Sequence, residues 1–130
     1  MKNEREVRWR EIDPLNRTVE LKNETYVEHI IGDHAEDDAE TRNMLEKSAR
    51  RTVKDPVYII LDPKKPATRY NYYSLVRFKK EDDYRIHPFK VVVEEKEDVF
   101  EVVTYVTERK VSQDTANSTV IYSKEDDEND

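Results

Sequence analysis

In YVEHIIGDHAEDDAET, residues 26–41, two of the chain's three histidines flank its single glycine, Gly32. Imidazole is the side chain that gains and loses a proton near neutral pH. Tyr26, Val27, Ile30 and Ile31 recur at i, i+1, i+4 and i+5, one face of a short helix. Gly32 fits the C′ residue that closes it, and Asp33 with Glu36 three residues on reads as the start of a second helix. His29 then lies in a last turn, where the macrodipole favours imidazolium, and His34 in a first turn, where it favours neutral imidazole. Opposed preferences are what a general acid and general base require. Read blandly, the same two residues are surface imidazoles beside a turn. His29, Asp33 and His34 also offer metal donors, but the break at Gly32 separates them and the spacing is not HExxH, so neither metal nor cofactor is expected.

A second source of chemistry is cationic. Lys47, Arg50, Arg51 and Lys54 follow i, i+3, i+4, i+7 opposite Leu45, Ala49 and Val53, and with Arg42 they can hold a phosphate backbone. The same residues also complement a helix C-terminus and make a solvated face. In VVTYVTER, Thr104 shares its expected strand face with Val102 and Val106 and can look into a pocket. In RYNYY, Tyr70 and Tyr72 share one face; aromatic rows of this kind stack bases or, more commonly, fill a core. One glycine excludes a phosphate-binding loop and a dinucleotide fingerprint, and no cysteine excludes disulfides and thiolate zinc sites. The five serines lack a nucleophile signature.

The elements that must position these groups are legible in outline. VRWREI and TVELK alternate around Asp13-Pro14 and predict an N-terminal strand pair. Acids early and bases late, with Leu45, Ala49 and Val53 at i, i+4, i+8, predict a helix over 34–54 that stops before Pro56. Strands are expected at 57–62, 69–78, 89–96 and 99–109, and TVIYS at 119–123 adds a possible fifth. Pro63, Pro66 and Pro88 are expected outside them, in short connections that favour antiparallel neighbours. The expected class is α+β: the strand pair and two helices packed on an antiparallel sheet of about four to five strands.

At 130 residues the chain is the size of one domain, expected over 1–123. Residues 124–130 carry five acids against one lysine and read as a disordered tail. Hydrophobic residues make up 35% and charged ones 41%, so the core is lean. A net charge of −7 disfavours nonspecific nucleic-acid binding. No run of about 18 apolar residues and no apolar leader core is present, so no membrane association and a cytoplasmic location are expected.

The order of motifs, an N-terminal strand pair, "HI" then "DH.E", a long helix before DPVYIILD, a tyrosine-rich strand, a VVV strand and a final VFEVVTYV, resembles the phage-associated branch of the barnase–EndoU–colicin–RelE-like nucleases. The resemblance runs from Val19 to Arg109. It implies N-terminal helices on a four-stranded antiparallel sheet and a small metal-independent RNase, found as a toxin or in phage proteins. His29 and His34 match the family's histidine pair and Thr104 the threonine of its last strand; His34-Ala35 stands where the family often has His-Pro. The implied reaction is RNA cleavage by 2′-hydroxyl attack, on a structured RNA such as tRNA, with histidine moving protons. Arg42, Arg50 and Arg51, with Arg69 and Arg77 behind them, would stabilise the phosphorane, and Tyr72 or Tyr73 would orient base or phosphate. The rival expectation is a non-catalytic protein-binding module on the same scaffold, its acidic surface directed at a basic partner. Composition does not specify an oligomeric state.

Overall fold

A computed structural model describes residues 6–33, 35, 37–80, 83–97, 99–108 and 118–124. Among the described residues, seven strands form one sheet: β1 (Val7–Ile12), β2 (Thr18–Lys22), β3 (Tyr58–Leu61), β4 (Arg69–Lys80), β5 (Asp83–Glu95), β6 (Phe100–Thr107) and β7 (Val120–Ser123). Their order is β1-β2-β6-β5-β4-β3-β7. Two helical segments complete the α+β fold. The first, α1, spans residues 23–33 as helical turns Asn23–Thr25 and Ile31–Asp33 around a π-helical turn, Tyr26–Ile30; the second, α2, is Ala39–Lys54.

The sheet is larger than four to five strands and is mixed rather than antiparallel. The predicted N-terminal pair does not stand apart: β2 joins β6 in parallel through Val19↔Phe100 and Glu20↔Glu101. The chain leaves β2 for the helices and the β3–β5 strands, so β6 returns beside β2 running the same way, as short connections alone would not allow.

The long helix starts later than predicted. Asp38, in extended backbone, caps it by accepting from the Thr41 amide at 2.7 Å, so Ala39 and not residue 34 begins α2. Leu45, Ala49 and Val53 are buried as the i, i+4, i+8 stripe predicts, and Pro56 follows the end. Gly32 is not a left-handed stop. It sits in the last helical turn of α1, and its φ is not positive. The four-residue apolar face shrinks as well: the wider π-helical turn leaves Ile30 buried and Tyr26 against the core, while Val27 is exposed.

Pro88 lies inside β5, not outside it. Its carbonyl accepts from Glu108 N at 2.8 Å, so its missing N–H points beyond the last β5–β6 pair, Phe89↔Thr107, where little pairing is lost. With β4 it extends the hairpin through Leu75↔Pro88 to Lys80↔Asp83.

One face of the sheet carries α1 and α2. There Trp9, Leu21, Tyr72, Val91, Val93, Val102 and Tyr105 meet Ile30, Leu45, Ala49 and Val53 in one core. No described helix is long and apolar enough to cross a membrane. Of the predicted tail, Lys124 is fixed by donating from its backbone to Val57 O at 2.9 Å and from Nζ to Asp55 at 3.1 Å; residues 125–130 lie outside the described ones.

Candidate functional site: a polar cleft on the sheet face away from the helices

Alternation along β4 sends Tyr70, Tyr72 and Val76 toward the helices and Arg69, Asn71 and Tyr73 to the other face. Directly opposite stand Glu94, Val92 and Lys90 on β5, and Thr104 opposite Val92 on β6. A bulge sets this last pairing. Val93 faces Val102 and Val92 faces Thr104, leaving Val103 without an opposite number. Thr104 therefore does not share a face with Val102, as unbroken alternation predicts; Val102 is buried under the helices and Thr104 lines the cleft on the other side.

These side chains and the turn after β3 enclose a cleft of about 330 Å³. Asp62, Lys64, Arg69, Asn71, Lys90 and Glu108 supply its polar lining. The turn is pre-formed: Asp62 Oδ1 accepts from the Lys64 amide at 2.7 Å, and Arg69 O accepts from the Asp62 amide at 2.9 Å. Lys90 holds one Glu108 oxygen at 3.0 Å.

Three buried polar atoms in this lining make no hydrogen bond: Asn71 Oδ1, Arg69 Nε and Glu108 Oε2. Asn71 is 3% exposed. Arg69 Nε lies 3.6 Å from Glu94, near enough for charge attraction but too far for a hydrogen bond. Leaving a buried polar atom without a partner costs about 1–3 kcal/mol, and such groups are rare in native interiors. Together they put two acceptors and one donor without a hydrogen bond in one cleft.

The structure brings together Arg69, Tyr73 and Thr104 from the residues singled out by sequence. The others are elsewhere. His29 is exposed on α1, which packs on the opposite face of the sheet, so it does not meet Thr104. His34 lies outside the described residues, as does the side chain of Arg77. Arg42 donates to Asp37 O at 2.6 Å. Arg50 makes two hydrogen bonds to Glu11, at 3.1 and 2.8 Å, with its guanidinium 5.7 Å from the Trp9 ring. Lys47 and Arg50 border a groove between β1 and α2; Arg51 and Lys54 are exposed on the same helix.

Tyr72 faces the core, not a ligand. Its hydroxyl donates to Asp13, and Arg17 donates to Asp13 at 2.8 Å and to the Tyr72 oxygen at 2.8 Å. Burial and the Asp13 bond push the Tyr72 hydroxyl far above its ordinary range. Burial lowers the Arg17 guanidinium's pKa, but Tyr72 and Asp13 outweigh it and the net shift is upward. The sequence reading passed over Asn71, Lys64, Lys90 and Glu108. The signal for Asn71 was present: asparagine is a poor strand former, yet it sits among aromatics in RYNYY. The chain matches no protein-family model, no curated protein and no solved structure.

Proposed function

We propose that this chain is a non-catalytic binding module that holds a segment of a partner protein in the cleft on the sheet face away from the helices. The observation that carries this reading is the convergence of Asn71 Oδ1, Arg69 Nε and Glu108 Oε2, all buried and none hydrogen-bonded, in one cleft whose lining among the described residues includes no histidine. Peptide groups carry both donors and acceptors, which is what two acceptors and one donor call for. The charges fit as well. Among the described residues, Lys64, Arg69 and Lys90 are balanced by Asp62, Glu94 and Glu108, a neutral set unlike the basic groove that draws a phosphate backbone. The net charge of −7 favours encounter with a basic partner.

The second reading is the metal-independent RNase that the motif order suggests, with His29 moving protons. Its support is the resemblance, together with the exposure of His29. Incubating tRNA and single-stranded RNA with purified protein in excess chelator separates the two. The binding module leaves both RNAs intact at micromolar protein. Cleavage that disappears in His29→Ala establishes the nuclease and removes the binding reading.

A further inference from the structure

Resting on the binding reading, we infer that the cleft recognises the C-terminal end of a peptide: a free carboxylate at the Arg69–Lys64 end and a cationic side chain at the Glu108 end. The polar groups are ordered along the cleft. Arg69, Asn71 and Tyr73 are alternate residues of β4, so their backbone positions step along it by roughly 7 Å each. Lys90 stands opposite Tyr73 and holds the Glu108 carboxylate, which places Glu108 two steps from Arg69.

At the first end, Arg69 Nε is a buried cationic donor with no acceptor within hydrogen-bond distance, Glu94 standing off at 3.6 Å. The turn that follows β3 carries Lys64 to the same end, and its ammonium has no ion-pair partner among the described residues. Asp62 does not cancel them fully as an acceptor, because its Oδ1 already receives the Lys64 and Lys65 amides at 2.7 and 3.3 Å. A carboxylate suits this end, since charge-assisted bonds from a guanidinium are the stronger kind. In the middle, Asn71 Oδ1 accepts a peptide N–H. At the far end, Lys90 occupies one Glu108 oxygen and Oε2 remains, an anionic acceptor for an ammonium. Two extended residues followed by a lysine side chain cover the span, at about 3.4 Å per residue of backbone. A terminal carboxylate and one lysine also keep the filled cleft neutral.

The test is an NMR titration of the ¹⁵N-labelled full chain with N-acetyl-Lys-Gly-Gly as the free acid, with its C-terminal amide, and with N-acetyl-Gly-Gly-Gly as the free acid. The first should saturate, with amide shifts concentrated at residues 62–73, 90–92 and 104–108. The other two should each bind about tenfold more weakly, one having lost the carboxylate and the other the ammonium. Arg69→Gln should erase the difference between acid and amide, and Glu108→Gln the difference between lysine and glycine, while circular dichroism shows both variants folded. Equal affinity for acid and amide overturns recognition of the chain end and leaves peptide binding standing. No saturable shift with any of the three peptides overturns both.

Discussion

The Tyr72 hydroxyl donates to the Asp13 carboxylate, joining the β1–β2 turn to the middle of the sheet between residues 59 apart in sequence. Asp13 is 3% exposed and also accepts from the amides of Leu15 and Arg17 at 2.9 and 2.8 Å, so one carboxylate both shapes the turn and anchors it. Arg17 completes the lock and lies over the rings of Tyr70 and Phe100, 4.5 and 4.4 Å from their centroids. A hydrogen bond to a charged group is worth about 1.5–3 kcal/mol. Tyr72→Phe should therefore lower unfolding free energy by about 2 kcal/mol in urea titrations, with an unchanged denaturant slope. A loss below about 0.5 kcal/mol would mean the bond adds nothing beyond packing.

The same tyrosine predicts an alkaline limb. Burial, then the Asp13 hydrogen bond, raises the Tyr72 pKa above the usual 10.0. A raised folded-state value means the neutral form is favoured by folding. The stabilisation is complete below pH 10.0 and is lost as pH climbs from there toward the folded value, because only the unfolded chain ionises first. Tyr105, also raised mainly by burial, adds to the same limb. Tyr72→Phe should flatten the fall in melting temperature above pH 10 relative to wild type. Parallel alkaline slopes in the two proteins would refute the assignment.

Gly32 makes a prediction opposite to the one its sequence context suggests. A glycine closing a helix in the left-handed region loses stability when replaced by alanine. Gly32 instead has helical geometry without positive φ, and an added Cβ meets nothing within 4 Å. Gly32→Ala should raise stability by up to about 1 kcal/mol, the intrinsic helix preference of alanine over glycine. A lowered melting temperature would show that the residue is needed as glycine.

These cases mark how far local pattern reaches. The Leu45, Ala49, Val53 stripe and the β-branched runs of β3, β5 and β6 were readable because periodicity and burial act within one element. Asp38 and Asp33 are both of a residue type that caps helices, each followed by a suitable partner, and local chemistry does not choose between them. The parallel β2–β6 pairing and the Val103 bulge depend on contacts between distant segments. That is why Thr104 changed face and Tyr72 became a core residue. Of the site, Arg69, Tyr73 and Thr104 were visible as residue types, but their meeting with Asn71 and Glu108 follows from strand register alone.

The cap at Asp38 is testable through acid. Its backbone hydrogen bond from Thr41, first among the causes, lowers the carboxyl below the usual 3.8. A depressed folded-state value means stabilisation that is present above pH 3.8 and lost as pH falls through the lower folded value. Asp38→Ala should lower the melting temperature at pH 7, and the gap from wild type should narrow as pH falls below 3.8. A gap that is constant with pH would assign the loss to helix preference rather than to the charged cap.

Asn71 should behave as a residue kept for ligand at the expense of stability. Its Oδ1 is buried without a hydrogen bond, and its cross-strand neighbours are Ile60 and Val92, both buried and apolar. Leucine has a similar size and no polar atom to leave unsatisfied, so Asn71→Leu removes a penalty of about 1–3 kcal/mol while adding apolar burial. The variant should melt higher than wild type and lose N-acetyl-Lys-Gly-Gly binding. Residues selected only for the fold do not show that pairing, because at such positions an improvement in packing carries no functional loss. If Asn71→Leu is instead destabilised by more than about 1 kcal/mol, the amide has a structural partner and the cleft loses its central acceptor. Gain of stability with binding intact would move recognition away from Asn71 and onto the charged ends alone.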